Sequence, residues 1–232
     1  MESFSVPMRF CGPPTSGNGG YTCGMVAKQL SGLVECTLRN PVPLETRLEI
    51  GTLPAGAVTV LRSGGKIIIE ANAANIDVTP PPPVSLKAAT EASSKSPALD
   101  PRHPFPTCFV CGPKRKAADG LRIFPAPLNG FHAAAWLPAA EFGDAAGRLK
   151  AEFLWAAMDC PTGFAAGFPL VGTLVTGRLA VKQLQPVRVG ETCVLLSWPL
   201  AAEGRKHFSA ACLYQNGEPR AVARATWIRL EG

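Results

Sequence analysis

The residue best suited to chemistry is an acidic one inside an apolar segment. Asp159 follows Leu154-Trp-Ala-Ala-Met and precedes Cys160, in a stretch whose apolar residues recur at helical spacing. A carboxylate in such surroundings could act as a general base or a nucleophile, and Thr162, further along the helix, could position water. The structural alternative is that Asp159 caps the turn at Cys160-Pro161 or pairs with an arginine, because an unpaired buried carboxylate is costly.

A second set of candidate residues lies at the predicted start of an earlier helix. Asn18 is a suitable helix cap, and Gly19, Gly20 and Tyr21 follow it. Backbone N–H groups at a helix start carry partial positive charge, so those of Gly20 or Tyr21 could hold a developing oxyanion, a role worth ~3–4 kcal/mol for one well-placed donor. Glycine permits the close approach that this requires. The alternative is an ordinary loop leading into a helix, with Asn18 serving only as its cap.

Cys108 and Cys111 form a Cys-x-x-Cys pair, which supplies two zinc ligands. Zinc normally takes four ligands, and the sequence has no second such pair, so His103 and His132 would have to be recruited. We therefore expect structural thiols around a turn closed by Gly112-Pro113, and no metal.

Composition narrows the class of protein. The 232 residues are 47% apolar and 17% charged, enough for a sizeable core. The formal charge of +6 suits an anionic partner, but the basic residues are spread along the chain and the run Lys114-Arg115-Lys116 is typical of a solvated loop. We expect no nucleic acid, no membrane span and no resident cofactor, and the eight scattered cysteines suggest reduced thiols in the cytoplasm.

Missing motifs exclude several enzyme classes. The sequence has no Gly-x-Ser-x-Gly elbow, no Walker loop and no dinucleotide fingerprint. Its three histidines, at 103, 132 and 207, all lie outside the two predicted long helices, which argues against histidine-based hydrolysis or hydration.

A proline-rich segment divides the chain. Thr79 is followed by four consecutive prolines and then by a stretch rich in Ala and Ser, which predicts a linker with a stiff start and a mobile middle. We therefore predict one domain over 1–79, a linker over 80–103 and a second domain over 104–232.

The two predicted domains have the same order of elements. The first has a strand near Phe4–Phe10, a helix over Tyr21–Leu30 and then an antiparallel meander with a hairpin turn at Ser63-Gly64-Gly65. The second has strands at Gly120–Ala126 and Phe131–Trp136 and a helix over Arg148–Gly167 that Pro161 ends or kinks. Four further strands follow, and Gln215-Asn216-Gly217-Glu218 predicts a hairpin turn between the last two. This repetition indicates an internal duplication.

The order of the elements and several short motifs resemble those of the hotdog thioesterases. Cys108-Phe-Val-Cys-Gly-Pro followed by Asp119-Gly-Leu-Arg-Ile is similar to the first-strand region of many of them. Gly19-Gly20 resembles the His-Gly-Gly helix start of the phenylacetyl-CoA type, and Leu154-Trp-Ala-Ala-Met-Asp159 resembles the helix that carries their catalytic carboxylate. The resemblance implies an α+β fold of two tandem hotdog domains, each a long helix wrapped by a curved antiparallel sheet, paired within one chain as a pseudo-dimer.

The departures from the family pattern are complementary in the two halves. The position nine residues after Asn18 is Ala27, whereas Asp159 stands nine residues after Lys150, which is not a His-Gly-Gly start. If the halves pair as the family's dimers do, one composite site joins Gly20 and Tyr21 to Asp159, and the mirror-related site is lost.

The resemblance implies an acyl-CoA thioesterase of lipid metabolism, with coenzyme A as part of the substrate. We expect the acyl chain between the two helices, Asn18 and Gly19 at the substrate, and the nucleotide near Arg115 or Arg122. The alternative is a non-catalytic acyl-CoA or lipid-binding protein, and a third reading is a structural or partner-binding protein with a filled groove. Edge strands predict a homodimer of the pseudo-dimer, while acyl-chain length and pathway are left open.

Overall fold

The elements of the first part of the chain form one helix and five strands. The computed structural model describes residues 3–52, 58–62 and 65–231. Helix α1 spans Gly19–Ala27 and is preceded by the short strand β1, Ser3–Phe4. The strands after the helix are β2 (Val34–Leu38), β3 (Leu48–Thr52), β4 (Val58–Arg62) and β5 (Ile67–Ala73).

The rest of the chain contains two helices and six strands. Helix α2 spans Leu86–Ser93, and helix α3 spans Ala151–Ala165. The strands are β6 (Ala126–Leu128), β7 (Phe131–Trp136), β8 (Leu174–Gln183), β9 (Cys193–Glu203), β10 (Lys206–Gln215) and β11 (Glu218–Arg229). As in the first part, a long buried helix precedes four antiparallel strands, the first of which pairs with the last.

All eleven strands form one antiparallel sheet in the order β1-β3-β4-β5-β2-β8-β11-β10-β9-β7-β6. The strand that directly follows each long helix lies at the centre, where β2 pairs with β8 through Cys36 and Leu179. Outward from this pair, each side continues with the last, the third and the second strand of its own group of four. The sheet is thus nearly palindromic about its centre; α1 contacts both central strands, and α3 contacts β8.

Helices α1 and α3 cross with their backbones in close contact because α1 has glycine at two positions one turn apart. A Cβ atom at Gly20 would lie 2.5 Å from the Cβ of Asp159 and 2.6 Å from the carbonyl oxygen of Trp155. A Cβ atom at Gly24 would lie 2.6 Å from the Cα of Glu152. Any larger residue at either position must separate the helices.

Of the two predicted effects of Pro161, an end of the helix is wrong, because α3 continues to Ala165, and a kink stays a prediction. A proline inside a helix removes one backbone hydrogen bond and costs ~3 kcal/mol or more. Every residue from Phe153 to Ala165 is buried, so tertiary packing of this segment outweighs that local cost.

The predicted linker contains the ordered helix α2, which the sequence interpretation as a mobile middle missed. Ser85 caps this helix, and Ala89 and Ala92 are buried against a second apolar cluster that includes Leu196 and Cys212. Ser93 accepts a hydrogen bond from the backbone N–H of Ala135 in β7. Small alanine side chains allow this close packing on the sheet, although they give little sequence signal of burial. The boundaries 1–79, 80–103 and 104–232 stay a prediction.

Short elements near the chain's turns differ from the predictions in detail. The predicted strand at Phe4–Phe10 is a strand only at Ser3–Phe4, with a 3-10 turn at Met8–Phe10, and the strand predicted at Gly120–Ala126 begins only at Ala126. The turn at Asn216-Gly217 is confirmed, since both residues have positive φ and join β10 to β11. The predicted turn at 63–65 lies partly outside the described residues. Over the described ranges, no helix is both long and apolar enough to cross a membrane.

Candidate active site

The carboxylate of Asp159 meets the start of helix α1 where the two helices cross. Its Oδ2 atom accepts hydrogen bonds from the backbone N–H of Gly20 at 2.9 Å and from Nδ2 of Asn18 at 3.2 Å. Its Oδ1 atom accepts a hydrogen bond from the hydroxyl of Thr176 at 2.8 Å. Asp159 is 1% exposed, so these three donors replace water as its solvation. A carboxylate has about four acceptor positions, which leaves one on Oδ1.

The first turn of α1 offers one N–H group without a partner. Asn18 is the helix cap, and its Oδ1 atom accepts the hydrogen bond of the Tyr21 N–H at 2.9 Å. The Gly20 N–H is bound to Asp159, as described above. The N–H of Gly19 has no hydrogen-bond partner among the described residues, and Gly19 lines the cavity beside Asp159. Gly19 is therefore the donor that remains for an oxyanion.

Burial raises the pKa of Asp159 from its ordinary value to about 7, against the lowering effects of hydrogen bonds from Gly20, Thr176 and Asn18. No ion pair among the described residues includes Asp159. The structural alternative of an arginine partner therefore does not hold in the described part of the chain. A carboxyl group with this pKa is suited to proton transfer near neutral pH.

A cavity of about 490 Å³ opens beside this carboxylate. Loops around Gly12–Gly19 and Leu38–Val42 form one side, and the ends of β8 and β11, with part of α3, form the other. Most of the wall is apolar, with Phe105, Phe164, Phe168 and Trp227 among the lining residues. Such a volume is in the range of ~300–1,000 Å³ that is common for small-molecule sites.

Thr162 and Tyr21, which were predicted to take part in catalysis, make other hydrogen bonds and packing contacts. The hydroxyl of Thr162 donates to the carbonyl oxygen of Asp159 at 2.6 Å and accepts from Nε1 of Trp227 at 2.9 Å. Thr162 is fully buried and does not line the cavity, so it is not placed to hold a water there. The Tyr21 N–H serves the cap, and its ring stacks on Phe10, with centroids 4.1 Å apart. The structure therefore gives both residues structural contacts in place of the predicted roles.

Arg115 and Arg122, predicted near the nucleotide, also lie outside the cavity wall. Arg115 binds the carbonyl of Thr107 at 2.8 Å and pairs with Asp119 at 3.0 Å. Arg122 donates to the carbonyl of Arg115 and lies over the Phe124 ring at 5.1 Å. Both guanidinium groups bind within the chain, as does that of Arg39, which lines the cavity and pairs with Glu70 at 2.6 Å.

The sequence interpretation missed two parts of the site. Thr176 lies in β8, after α3, and only the fold brings it to Asp159. Cys160 joins Cys108 and Cys111 in a group whose sulfurs all lie within 4.8 Å of one another and line the same cavity. The position of Cys160 directly after Asp159 in the sequence indicates that Cys160 lies close to the carboxylate.

The opposite end of the helix crossing carries different residues. There Lys28, next to Ala27, forms a salt bridge with Glu152 at 3.5 Å. Asn18 and Lys150 are the N-caps of α1 and α3, so Ala27 and Asp159 occupy the same place in their helices. Of the two equivalent positions, only Asp159 carries a carboxylate, and this carboxylate binds the start of α1.

The chain has the hotdog fold of solved thioesterases. The match to a provisionally named thioesterase from Novosphingobium aromaticivorans has a TM-score of 0.65 and 12% identity, and covers 99% of this chain and 95% of that one. A provisionally named oleoyl thioesterase from Lactobacillus plantarum matches with a TM-score of 0.62 and 8% identity over 100% of this chain and 96% of the other.

A third solved structure is the tesB protein of Mycobacterium avium subs paratuberculosis. It matches with a TM-score of 0.62 and 13% identity, over 94% of this chain and 89% of that one. At these identities the likeness concerns the fold. No protein-family model and no curated protein matches the chain.

Proposed function

We propose that the chain is a pair of tandem hotdog domains that hydrolyses an acyl-CoA type thioester at one composite site. The nearly palindromic sheet, centred on β2 and β8, supports the duplication, because a pair of like domains related by a two-fold axis has this arrangement. The equivalent N-caps Asn18 and Lys150 support the same axis through the helices.

The observation that carries the proposal is the contact of Asp159 with the start of α1 at the wall of a cavity. Hydrolysis of a thioester needs a nucleophile or a base and a donor for the carbonyl oxygen. Asp159 would take a proton from a water molecule, whose oxygen attacks the thioester carbon. The Gly19 N–H would stabilise the oxyanion. Collapse of the intermediate breaks the carbon–sulfur bond, and Asp159 gives its proton to the departing sulfur, so that a carboxylic acid and a thiol are released and the base is regenerated.

The surrounding contacts fit Asp159 to this task. Gly20, Asn18 and Thr176 hold the carboxylate in one orientation, and one acceptor position on Oδ1 is left for water. The acyl chain would occupy the apolar part of the cavity, near Phe164 and Phe168. The nucleotide would lie toward the side of Arg39, and contacts with Arg115 or Arg122 stay a prediction. A cytoplasmic location, a role in lipid metabolism and assembly into a homodimer of the pseudo-dimer also stay predictions.

The test measures the hydrolysis of short, medium, long and aromatic acyl-CoA thioesters through the release of free thiol. We expect at least one thioester to be turned over by the wild-type chain and not by Asp159→Ala. Binding of each acyl-CoA is measured alongside by calorimetry. Tight binding of acyl-CoA without turnover of any thioester would contradict hydrolysis and favour the binding-protein alternative.

A further inference from the structure

Three buried cysteines meet on the wall of the cavity. Cys108 and Cys111 come from the loop before β6, and Cys160 comes from α3. Their sulfurs all lie within 4.8 Å of one another, and those of Cys108 and Cys160 are 3.7 Å apart. All three are free thiols, so no disulfide accounts for the grouping.

The separation of the Cys108 and Cys160 sulfurs is that of two ligands in a tetrahedral thiolate site. With zinc–sulfur bonds of about 2.3 Å, two ligand sulfurs on a tetrahedral ion lie about 3.8 Å apart. The distance between Cys108 and Cys160 therefore needs almost no adjustment to admit an ion. The Cys-x-x-Cys spacing of the first two ligands is the spacing common in structural zinc sites.

The loop carrying the first two cysteines is a tight turn. Gly112 closes the turn with an N–H bond to the Cys108 carbonyl oxygen at 2.9 Å, and a Cβ atom there would collide with that oxygen. The turn therefore requires glycine directly after Cys111.

His103 contacts this cluster on the side away from the cavity. Its Nε2 atom lies 3.6 Å from the Cys111 sulfur, while its Nδ1 atom accepts the N–H of Phe105 at 3.0 Å. The neutral ring therefore carries its proton on Nε2, which makes it a hydrogen-bond donor to the sulfur. His103 does not line the cavity, whereas all three cysteines do.

We propose that Cys108, Cys111 and Cys160 bind a zinc-class divalent cation as three thiolates, with the fourth coordination position open to the cavity beside Asp159. His103 orients Cys111 by a hydrogen bond and is not a ligand. Binding of the ion releases the thiol protons to solvent and involves no oxidation or reduction. Three adjacent buried thiolates would repel one another strongly without a cation, so the ion also stabilises the packing of the loop on α3.

The test is metal binding by the full chain, kept reduced and first stripped of metal. We expect one equivalent of Co²⁺ to bind with the strong thiolate-to-cobalt absorption of several sulfur ligands, and one equivalent of Zn²⁺ to displace it. Zinc should also raise the melting temperature of the wild-type chain, a readout that needs no variant and no enzymatic activity. If the reduced, folded chain binds neither ion, the cluster is a packing contact and the proposal is wrong.

Variants identify the ligands. Each of Cys108→Ser, Cys111→Ser and Cys160→Ser should lower bound cobalt below about half an equivalent, with folding checked by circular dichroism. Cys193→Ser and Cys212→Ser alter buried free thiols outside the cluster and should leave binding unchanged. His103→Ala should keep the thiolate absorption, and a loss equal to that of the cysteine variants would contradict the three-thiolate assignment.

Discussion

Replacing Gly20 by alanine tests whether the contact between α1 and Asp159 serves chemistry as well as packing. The new Cβ atom would stand 2.5 Å from the Cβ of Asp159 and 2.6 Å from the Trp155 carbonyl, so the helices must separate. Overpacking of this kind costs ~1–3 kcal/mol, and the better helix propensity of alanine returns about 0.5–1 kcal/mol. For a chain of this size we expect a melting temperature lower by roughly 1–10 °C.

The same separation weakens the hydrogen bond from the Gly20 N–H to the carboxylate. A hydrogen bond to a charged group contributes about 1.5–3 kcal/mol, which corresponds to roughly a 10- to 100-fold loss of kcat/KM. Gly24→Ala is the matched control, because its Cβ meets the Cα of Glu152 at 2.6 Å but lies one helical turn from Gly20, the residue that contacts Asp159.

The assays are thermal unfolding and thioester hydrolysis by both variants, with activity corrected for the folded fraction. Gly24→Ala should lose stability to a similar extent but keep activity within a few-fold of the wild type. Equal losses of activity in the two variants would refute the reasoning, because the effect would then come from helix separation alone.

Three further predictions concern Thr176, His132 and helix α2. Thr176→Val should lower kcat/KM by roughly 10-fold or more because Asp159 loses a donor, and Thr176→Ser should restore activity; an active valine variant would contradict this role. Burial lowers the pKa of His132, so the contribution of His132 to the free energy of unfolding should fall as pH falls below about 6.5, while Asp159, whose pKa is raised in the folded chain, contributes in the opposite direction. His132→Gln should change the slope of the free energy of unfolding against pH in denaturant titrations, and an unchanged slope would exclude His132 as a contributor. Ala89→Leu should cost ~1–3 kcal/mol of stability by overpacking, whereas the exposed Lys87→Leu should change it by less than about 0.5 kcal/mol.

The helix periodicity and the motifs in the two halves were enough to predict the fold. The apolar spacing around Phe153 and Ala157 identified α3, and the Asn216-Gly217 pair identified the last hairpin. An end of α3 at Pro161 was the wrong one of the two predicted effects, because a local rule about proline cannot anticipate the burial of every residue from Phe153 to Ala165. Helix α2 was missed because its alanines are buried by a sheet that the local sequence does not reveal.

The candidate site was predictable only in part. Asp159 and the start of α1 could be paired in advance because the family resemblance supplies both halves of a composite site. The partner of each N–H group could not be predicted. Asn18 accepts the hydrogen bond of the Tyr21 N–H, and Asp159 accepts that of the Gly20 N–H. Thr176 contacts Asp159 because β8 packs against α3, and Cys160 contacts the loop that carries Cys108. Spacing along the chain does not predict such long-range contacts.

Replacement of Asp159 by asparagine tests the central claim most directly, because the side chain keeps its size and loses its negative charge. The measurement is kcat/KM for the preferred acyl-CoA thioester, with Glu152→Gln as the control on the same helix, where the carboxylate pairs with Lys28. We expect Asp159→Asn to lose at least about 100-fold while it still binds the acyl-CoA, and Glu152→Gln to stay within a few-fold of the wild type. Undiminished hydrolysis by folded Asp159→Asn would contradict the composite site.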